Sequence, residues 1–389
     1  MKDRYDVIVV GAGPGGSWAA KSAAESGASV LVLEKDREAG IPVRCAEGVS
    51  QKSLSDLVDI RDRWIAQEIR GGRLVAPDGT VVESMPDEIG YVLHRRLFDP
   101  DLTALAAEAG AEIWTKAYVW GLILEKGAIS GVRVQHLGRN SDIRASIVIA
   151  ADGVESRVGR WAGLETAVPF AEIASCAQMT LGGIDIDPQM VEFYFGQQVA
   201  PGGYLWVFPK GPKTANVGLG IAGRYGREKK AIHYLEEFVN KKFPNASRLV
   251  TVAGGVPMVP TLKTITADGL MLVGDAARQA NPVTGGGIIN AMIAGKIAGK
   301  VAAEAVQKGD VSAKKLSGYP KGWHKAEGKN NAMSYKIKQV IDKFSDDDLN
   351  RLARILLELD PRKRTAFAIF KAALRKHPRL ILDATKIFI

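Results

Sequence analysis

Residues 5–34 read YDVIVVGAGPGGSWAAKSAAESGASVLVLE. An apolar run, Tyr5 to Val10, leads into the glycine cluster Gly11-Ala12-Gly13-Pro14-Gly15-Gly16. A small-residue segment from Ser17 to Ser26 and a second apolar run from Ser29 to Leu33 carry the chain to Glu34. Each part has a mechanical reason. Gly11 permits the tight turn off the strand, Gly13 lets backbone approach a pyrophosphate, and Gly16 lets the helix pack closely on the sheet. The helix start then offers unpaired N–H groups and a positive dipole end to an anion. Glu34 closes the second strand, where a carboxylate can accept from a ribose hydroxyl. A lone GxGxxG also fits a glycine-rich turn of an ordinary α/β protein. Strand, glycines, helix, strand and acid in this order predict a dinucleotide site.

The chain has 389 residues, room for two or three domains. Hydrophobic content of 46% beside 24% charged residues is that of a globular protein rather than a disordered one. Two cysteines, Cys45 and Cys176, give no disulfide framework, which fits a reducing compartment. The first apolar run reads as a strand and not a leader, because glycines follow at once, and no stretch of 18 apolar residues is present. The five histidines, His94, His136, His233, His324 and His377, lack metal-ligand spacing, so no metal site is expected.

Charge is concentrated. Residues 311–389 carry 18 Lys and Arg against 8 Asp and Glu, an excess larger than the net +9 of the whole chain. One reading is a solvated basic helical tail. Another is a surface that docks on anionic lipid, where each nearby Lys or Arg contributes about 1 kcal/mol. The second reading places the protein in the cytoplasm, peripheral on the inner face of the cell membrane. A nucleic-acid partner is not expected, because no motif or stacking platform accompanies the basic residues.

Further along, a short helix is expected near residues 51–57, and a hairpin around Pro77-Asp78-Gly79-Thr80 within 73–93. A helix over 97–109 and a three-strand meander over 117–125, 129–137 and 142–151 follow. Residues 165–260 read mostly as strands, with one amphipathic helix at 228–243. Gly218-Leu219-Gly220-Ile221-Ala222-Gly223 fits GxGxxG again, but no second strand ending on an acid follows it. Those glycines read as close packing in a strand, and no separate nicotinamide domain is expected. From 311 onward the pattern is helical, broken at Pro320, Pro361 and Pro378.

The glycine region at 11–16 has a distant counterpart in Gly274-Asp275-Ala276-Ala277 and Thr284-Gly285-Gly286-Gly287-Ile288. Gly274 lets backbone come close, and the Asp275 carboxylate can accept from a ribityl hydroxyl. The glycine turn opens an alanine-rich helix at a second polar part of the ligand. A nicotinamide enzyme does not need this segment, whereas a flavin extends past the pyrophosphate and does. Together with Ala151-Asp152-Gly153-Val154-Glu155-Ser156-Arg157-Val158, these motifs resemble those of the FAD-containing aromatic-hydroxylase superfamily over about residues 5–305. The resemblance implies FAD as cofactor, an α/β (α+β) fold with a Rossmann-like FAD-binding domain, an antiparallel β-sheet substrate domain and a helical C-terminal region. The expected segments are 1–70 with 94–165 and 262–310 for FAD, 71–93 with 166–261 for substrate, and 311–389 for the basic helical region. It also implies cofactor contacts at Gly11, Gly13, Gly15, Gly16, Glu34, Arg95, Val119, Asp275, Gly287 and Ile288, with Gly15 at the phosphates. For Arg95 the alternative is a salt-bridging surface arginine.

Two motifs choose among flavoproteins. Cys45-Ala46-Glu47-Gly48 and Pro201-Gly202-Gly203-Tyr204-Leu205-Trp206-Val207-Phe208-Pro209 are similar to the Cys-x-x-Gly and Pro-x-x-Tyr-x-Trp-x-Phe-Pro patterns of the geranylgeranyl reductase family, most like its archaeal members. That resemblance implies hydride transfer from reduced FAD, plus protonation, to the C=C bonds of geranylgeranyl chains in ether phospholipids. On a strand Tyr204, Trp206 and Phe208 share one face, a rigid apolar wall that with Pro201 suits a long hydrocarbon. The bland alternative is a sheet core wall without ligand. Cys45 is read either as a small residue whose backbone, with that of Ala46 and Gly48, contacts the cofactor, or as a catalytic thiol that assists protonation. Cys45, Tyr204 and water are the candidate proton donors. The electron donor is open among NAD(P)H, a ferredoxin and another small carrier. An aromatic-hydroxylase-type FAD monooxygenase and a non-catalytic flavin- or lipid-binding protein are the alternative readings. The aromatic run is also faintly similar to the Trp-x-Trp-x-Ile-Pro motif of flavin halogenases, from which Tyr204 and Phe208 depart.

Overall fold

A computed structural model describes residues 2–364. The chain divides into two compact units. Among the described residues, one comprises the chain up to Val43, Arg95–Val168 and Pro257–Met333; the other takes Arg44–His94, Pro169–Val256 and residues 334–364.

The first unit is built on a sheet whose central strands are parallel. Arg4–Val10 pairs with Val30–Leu33 on one side and Arg139–Ala150 on the other, and Leu270–Leu272 and Glu112–Trp114 extend the parallel set. Val7, Ile8 and Val9 are fully buried, as strands covered on both faces require. The expected meander is present as Ala117–Glu125, Ala128–His136 and Arg139–Ala150. Its third strand also serves as a central parallel strand, a double role that alternation alone did not reveal. Helices Pro14–Glu25 and Ile288–Gln307 pack through small residues. A Cβ on Gly295 would lie 2.3 Å from the Gly15 carbonyl oxygen, and one on Gly299 2.2 Å from that of Ala19. Alanine- and glycine-rich sequence in both helices is therefore the condition of their close approach.

In the second unit a seven-stranded sheet runs in the order Ser247–Pro257, Ile173–Gly182, Thr214–Ala222, Tyr204–Gly211, Met190–Tyr194, Gly71–Val75, Val81–Ser84. A smaller sheet joins Gly48–Ser50, Gly90–Leu93 and Ile65–Ile69. Helix Ala231–Lys242 covers one face of the large sheet, burying Leu235, Val239 and Phe243 against Leu205, Val207, Val217 and Leu219. Of the second GxGxxG pattern, Gly218 and Gly220 lie in the Thr214–Ala222 strand, as close packing predicts, and Gly223 opens the turn Gly223–Arg227 that follows.

The compact units group the chain differently from the expected segments. Residues 44–70 belong to the second unit, because Gly48–Ser50 and Ile65–Ile69 both pair with Gly90–Leu93. The expected helical region after 311 is present, as Ala313–Leu316, Gly318–Trp323, Lys329–Ile341 and Asp346–Leu357, and the division between the units falls within it, after Met333. Pro320 does not break its helix; it lies in the first turn of Gly318–Trp323, where a missing N–H costs no intrahelical bond. Pro378 and the basic sequence after 364 lie outside the described residues.

Candidate active site

The first unit gathers the residues of the glycine turn, Glu34, Arg95, Val119, Asp275, Gly287 and Ile288, whereas Cys45, Ala46 and Gly48, also expected at the cofactor, lie in the second. Gly11 has φ +100°, and a Cβ there would stand 2.4 Å from the Ala151 carbonyl oxygen. A Cβ on Gly16 would lie 1.9 Å from the Gly11 carbonyl oxygen, so helix and turn touch backbone to backbone. A Cβ on Gly13 would meet nothing within 4 Å, which leaves this backbone open to a ligand. Gly15 differs: the place of its missing side chain is taken by Val273 and Ala291, so its side-chain position serves helix packing.

Glu34 is buried, and its two carboxylate oxygens accept from the backbone N–H groups of Ala12 (2.8 Å) and Asp36 (2.9 Å). It thus ties the glycine turn to the end of the second strand. Burial holds its pKa above the ordinary carboxylate value, against the two N–H donors. Arg95 grips Asp99 with a two-pronged contact, Nη2 to Oδ2 at 2.6 Å, and Asp99 is buried. Arg95 is therefore a largely enclosed, oriented guanidinium rather than a surface arginine. The Asp275 carboxyl is raised by burial, with Arg95 acting in the opposite direction. Asp275 Oδ1 lies where a Cβ on Gly287 would be 3.4 Å away, so the carboxylate faces the start of helix Ile288–Gln307. Asp152 accepts from the Val158 N–H at 3.0 Å through Oδ2, while its buried Oδ1 has no hydrogen-bond partner among the described residues. Val119 points into the core, leaving only its backbone for a ligand. Open glycine backbone, two helix starts, the buried Asp152 acceptor and Asp275 beside Gly287 suit a flavin dinucleotide.

In the second unit Tyr204, Trp206 and Phe208 share one face of their strand, and Leu205, Val207 and Pro209 are buried on the other. The aromatics lie opposite the helix-covered core and keep partial exposure, so they are not its wall. Phe193 on the neighbouring strand joins them, with ring centroids 5.6 Å from Tyr204 and 5.5 Å from Phe208. Tyr204 and Trp206 meet edge to face at 5.9 Å. Pro201 is buried in the turn before the strand and accepts from the Ala222 N–H, so it shapes the turn's backbone.

The Cys45–Gly48 turn is fastened to this same face. Gln178 accepts from the Trp206 indole N–H at 3.0 Å and donates to the Cys45 carbonyl oxygen at 3.0 Å. Asn216 Nδ2 donates to Glu47 Oε2 at 2.6 Å and reaches the Ala46 carbonyl oxygen at 3.4 Å. Lys210 donates to the same Glu47 oxygen at 2.6 Å. A Cβ on Gly48 would stand 2.7 Å from the Phe208 ring, so glycine lets ring and turn touch. Burial raises the Tyr204 hydroxyl and pushes the Cys176 thiol up to about 12, so both are protonated at neutral pH.

Sequence reading missed Gln178, Asn216, Lys210 and Phe193. A signal existed for the first: Cys176, Gln178 and Thr180 alternate with buried Ala177, Met179 and Leu181, a polar-facing side on a strand. Asn216 and Lys210 carry no local signal, because their partner Glu47 is far away in the chain.

A sheet with a glycine-rich first turn, a ribose-end acid and a second cofactor segment defines the FAD-dependent oxidoreductases, whose family pattern matches residues 6–203. The geranylgeranyl reductase catalytic domain matches residues 172–257, the stretch that builds the aromatic face. The digeranylgeranylglycerophospholipid reductase of Methanosarcina acetivorans is 48% identical, with 100% of this chain and 97% of the relative covered. A crystal structure of a geranylgeranyl bacteriochlorophyll reductase-like protein from Thermoplasma acidophilum superposes with a TM-score of 0.94 at 38% identity, over 99% of both chains. This chain belongs to the geranylgeranyl reductase family. The flavin-dependent brominase Bmp2, as a triple mutant, gives a TM-score of 0.73 at 19% identity over 96% of this chain and 100% of its own, and shares the fold alone.

Proposed function

We propose that the chain saturates the C=C bonds of geranylgeranyl chains in archaeal-type ether phospholipids. The observation that carries the reading is the four-ring face of Phe193, Tyr204, Trp206 and Phe208 with the Cys45–Gly48 turn fastened to it. Relatives of near-equal length, named for this reaction, support it. Reduced FAD supplies a hydride when bound, and the residues of the first unit that would hold it are Gly11, Gly13, Glu34, Arg95, Asp275 and Gly287. An isolated trisubstituted alkene is a poor hydride acceptor, because nothing polarises it. A proton must therefore reach the second carbon as the hydride reaches the first. The protein's tasks are to lay the chain flat, keep it dry and deliver that proton. The aromatic face performs the first two. Tyr204 keeps its proton at neutral pH, but the same burial makes it a weak acid. Cys45, Tyr204 and a water remain the three donors to separate, by Cys45→Ala and Tyr204→Phe.

The enzyme would work as a peripheral protein on the inner face of the cell membrane. Residues 311–343 hold eight lysines against Glu327 and Asp342, a charge balance that suits anionic headgroups. Among the described residues no helix is long and apolar enough to cross a membrane. Electrons would arrive from NAD(P)H, a ferredoxin or another small carrier.

The deciding experiment is anaerobic. Enzyme reduced with dithionite is mixed with an unsaturated archaeal-type ether lipid and the lipid is weighed by mass spectrometry. The reading requires reoxidation of the flavin without O₂ and a gain of two hydrogens per double bond. Reoxidation only with O₂ and an oxygen atom added to the product would point to the monooxygenase, and reoxidation only with O₂ that leaves the lipid unchanged to a binding protein.

A further inference from the structure

Glu47 is a non-glycine residue in the left-handed region, with φ 72°. Glycine would occupy that conformation without steric cost, so the side chain must bring something glycine cannot. Its carboxylate is almost fully enclosed and accepts from Lys210 Nζ and Asn216 Nδ2 at 2.6 Å each. Lys210, itself little exposed, also donates to the Leu93 carbonyl oxygen at 2.6 Å, and Asn216 Oδ1 accepts from Thr180 at 2.8 Å. The backbone of Glu47 is held as well: its carbonyl accepts from the Leu93 N–H at 2.9 Å, and its N–H donates to Cys45 Sγ at 3.2 Å. The chain of contacts thus runs from the strands through the carboxylate to the Cys45 sulfur.

We propose that Lys210 and Asn216 are positioning residues that act through Glu47, locking the left-handed turn that sets the Cys45 thiol and brings Gly48 against Phe208. The inference rests on the reductase reading only for its consequence in catalysis; the geometry of the turn is independent of it. A removed Lys210 takes a charged donor from an enclosed carboxylate and leaves Asn216 alone among the two side-chain donors described above to hold a residue in an unfavourable conformation. Glu47 then relaxes and withdraws its N–H from the sulfur.

The test uses the FAD-loaded full chain with Cys176→Ala, so that Cys45 is the remaining cysteine. The rate of iodoacetamide alkylation is followed against pH. Lys210→Met is expected to raise the limiting high-pH rate about tenfold, because turn and sulfur come free. It should also move the midpoint upward, because an unbalanced carboxylate disfavours the thiolate. Glu47→Gly, which suits the backbone but deletes the carboxylate, should raise the limiting rate similarly. Should Lys210→Met fail to fold, Glu47→Gln reads the same quantities. Reference-like alkylation in folded Lys210→Met or Glu47→Gly overturns the inference. Altered alkylation with unchanged kcat and FAD content supports it and instead removes the Cys45 turn from the reaction.

Discussion

Gly218 lies beneath the indole of Trp206: a Cβ built on it would stand 2.5 Å from Cζ2 and 2.7 Å from Cε2. The two residues are paired across neighbouring strands, Trp206 with Gly218, so no register adjustment can separate them. Gly218→Ala must push the indole outward and strain its hydrogen bond to Gln178. Overpacking of this kind costs about 1–3 kcal/mol. The expected result is a turnover loss of about tenfold or more with FAD retained, checked by steady-state reduction of the lipid and by the absorbance of bound flavin. Wild-type turnover would show that the indole's placement is not used.

Replacing Trp206 or Tyr204 by alanine removes rings from a face that lies in the second unit, whereas Gly11, Glu34, Arg95 and Asp275 lie in the first. Turnover should therefore fall far more than flavin content, by about two orders of magnitude against less than twofold. Equal loss of both would make the aromatics cofactor contacts. Tyr204→Phe separates the ring from the hydroxyl: near-normal turnover leaves Cys45 or water as proton donor.

Much of this was readable because local rules and tertiary structure agree. Gly11 makes the turn and Gly16 the close packing that their spacing demands, and the meander boundaries fall within a few residues of the Gly127 and Gly138 breaks. Alternation placed Tyr204, Trp206 and Phe208 on one face, but could not say that Leu205 and Val207 on the other face form the core. The clamp on Cys45 was hidden, because Gln178 and Lys210 meet that turn across more than a hundred residues. Residues 44–70 were misplaced for a related reason, since their strands are defined by Gly90–Leu93 and not by neighbours in sequence. Pro320 shows the limit of a one-residue rule: its meaning depends on its place in the turn.

Lysines 314, 315, 321, 325 and 329 fall in one short helical stretch with Glu327 as its acid. If this stretch recruits the enzyme to lipid, the full chain should co-sediment with vesicles containing anionic phosphatidylglycerol and not with phosphatidylcholine alone. Binding should weaken severalfold between low salt and about 0.5 M, because screening shortens the reach of exposed charges. Charge reversal at Lys314, Lys315 and Lys321 should mimic high salt. Binding that ignores both salt and reversal would move the contact to an apolar surface.

Asp275 links cofactor binding to pH. Burial raises its pKa, and Arg95 only partly opposes this. The folded protein without FAD therefore holds this proton more tightly than the unfolded chain does. Below the unfolded carboxylate value, about 3.9, both states are protonated and nothing is lost. As pH rises, the unfolded chain ionises first, so stability falls until the folded group also ionises, and the deficit then stays. Each tenfold difference in proton affinity is about 1.4 kcal/mol. Asp275→Asn cannot ionise and escapes this loss, while Glu34 and Asp152, raised by burial in the same direction, remain in both proteins and cancel. FAD-stripped Asp275→Asn should thus melt higher than wild type at pH 7–8, the difference shrinking toward zero near pH 4. Its affinity for FAD should meanwhile drop about tenfold or more, because an amide oxygen is a weaker acceptor for a ribityl hydroxyl than a carboxylate. Thermal melts across pH and a flavin titration read the two effects separately. A melting difference that does not vary with pH would mean that ionisation of Asp275 is not what costs the apoprotein its stability.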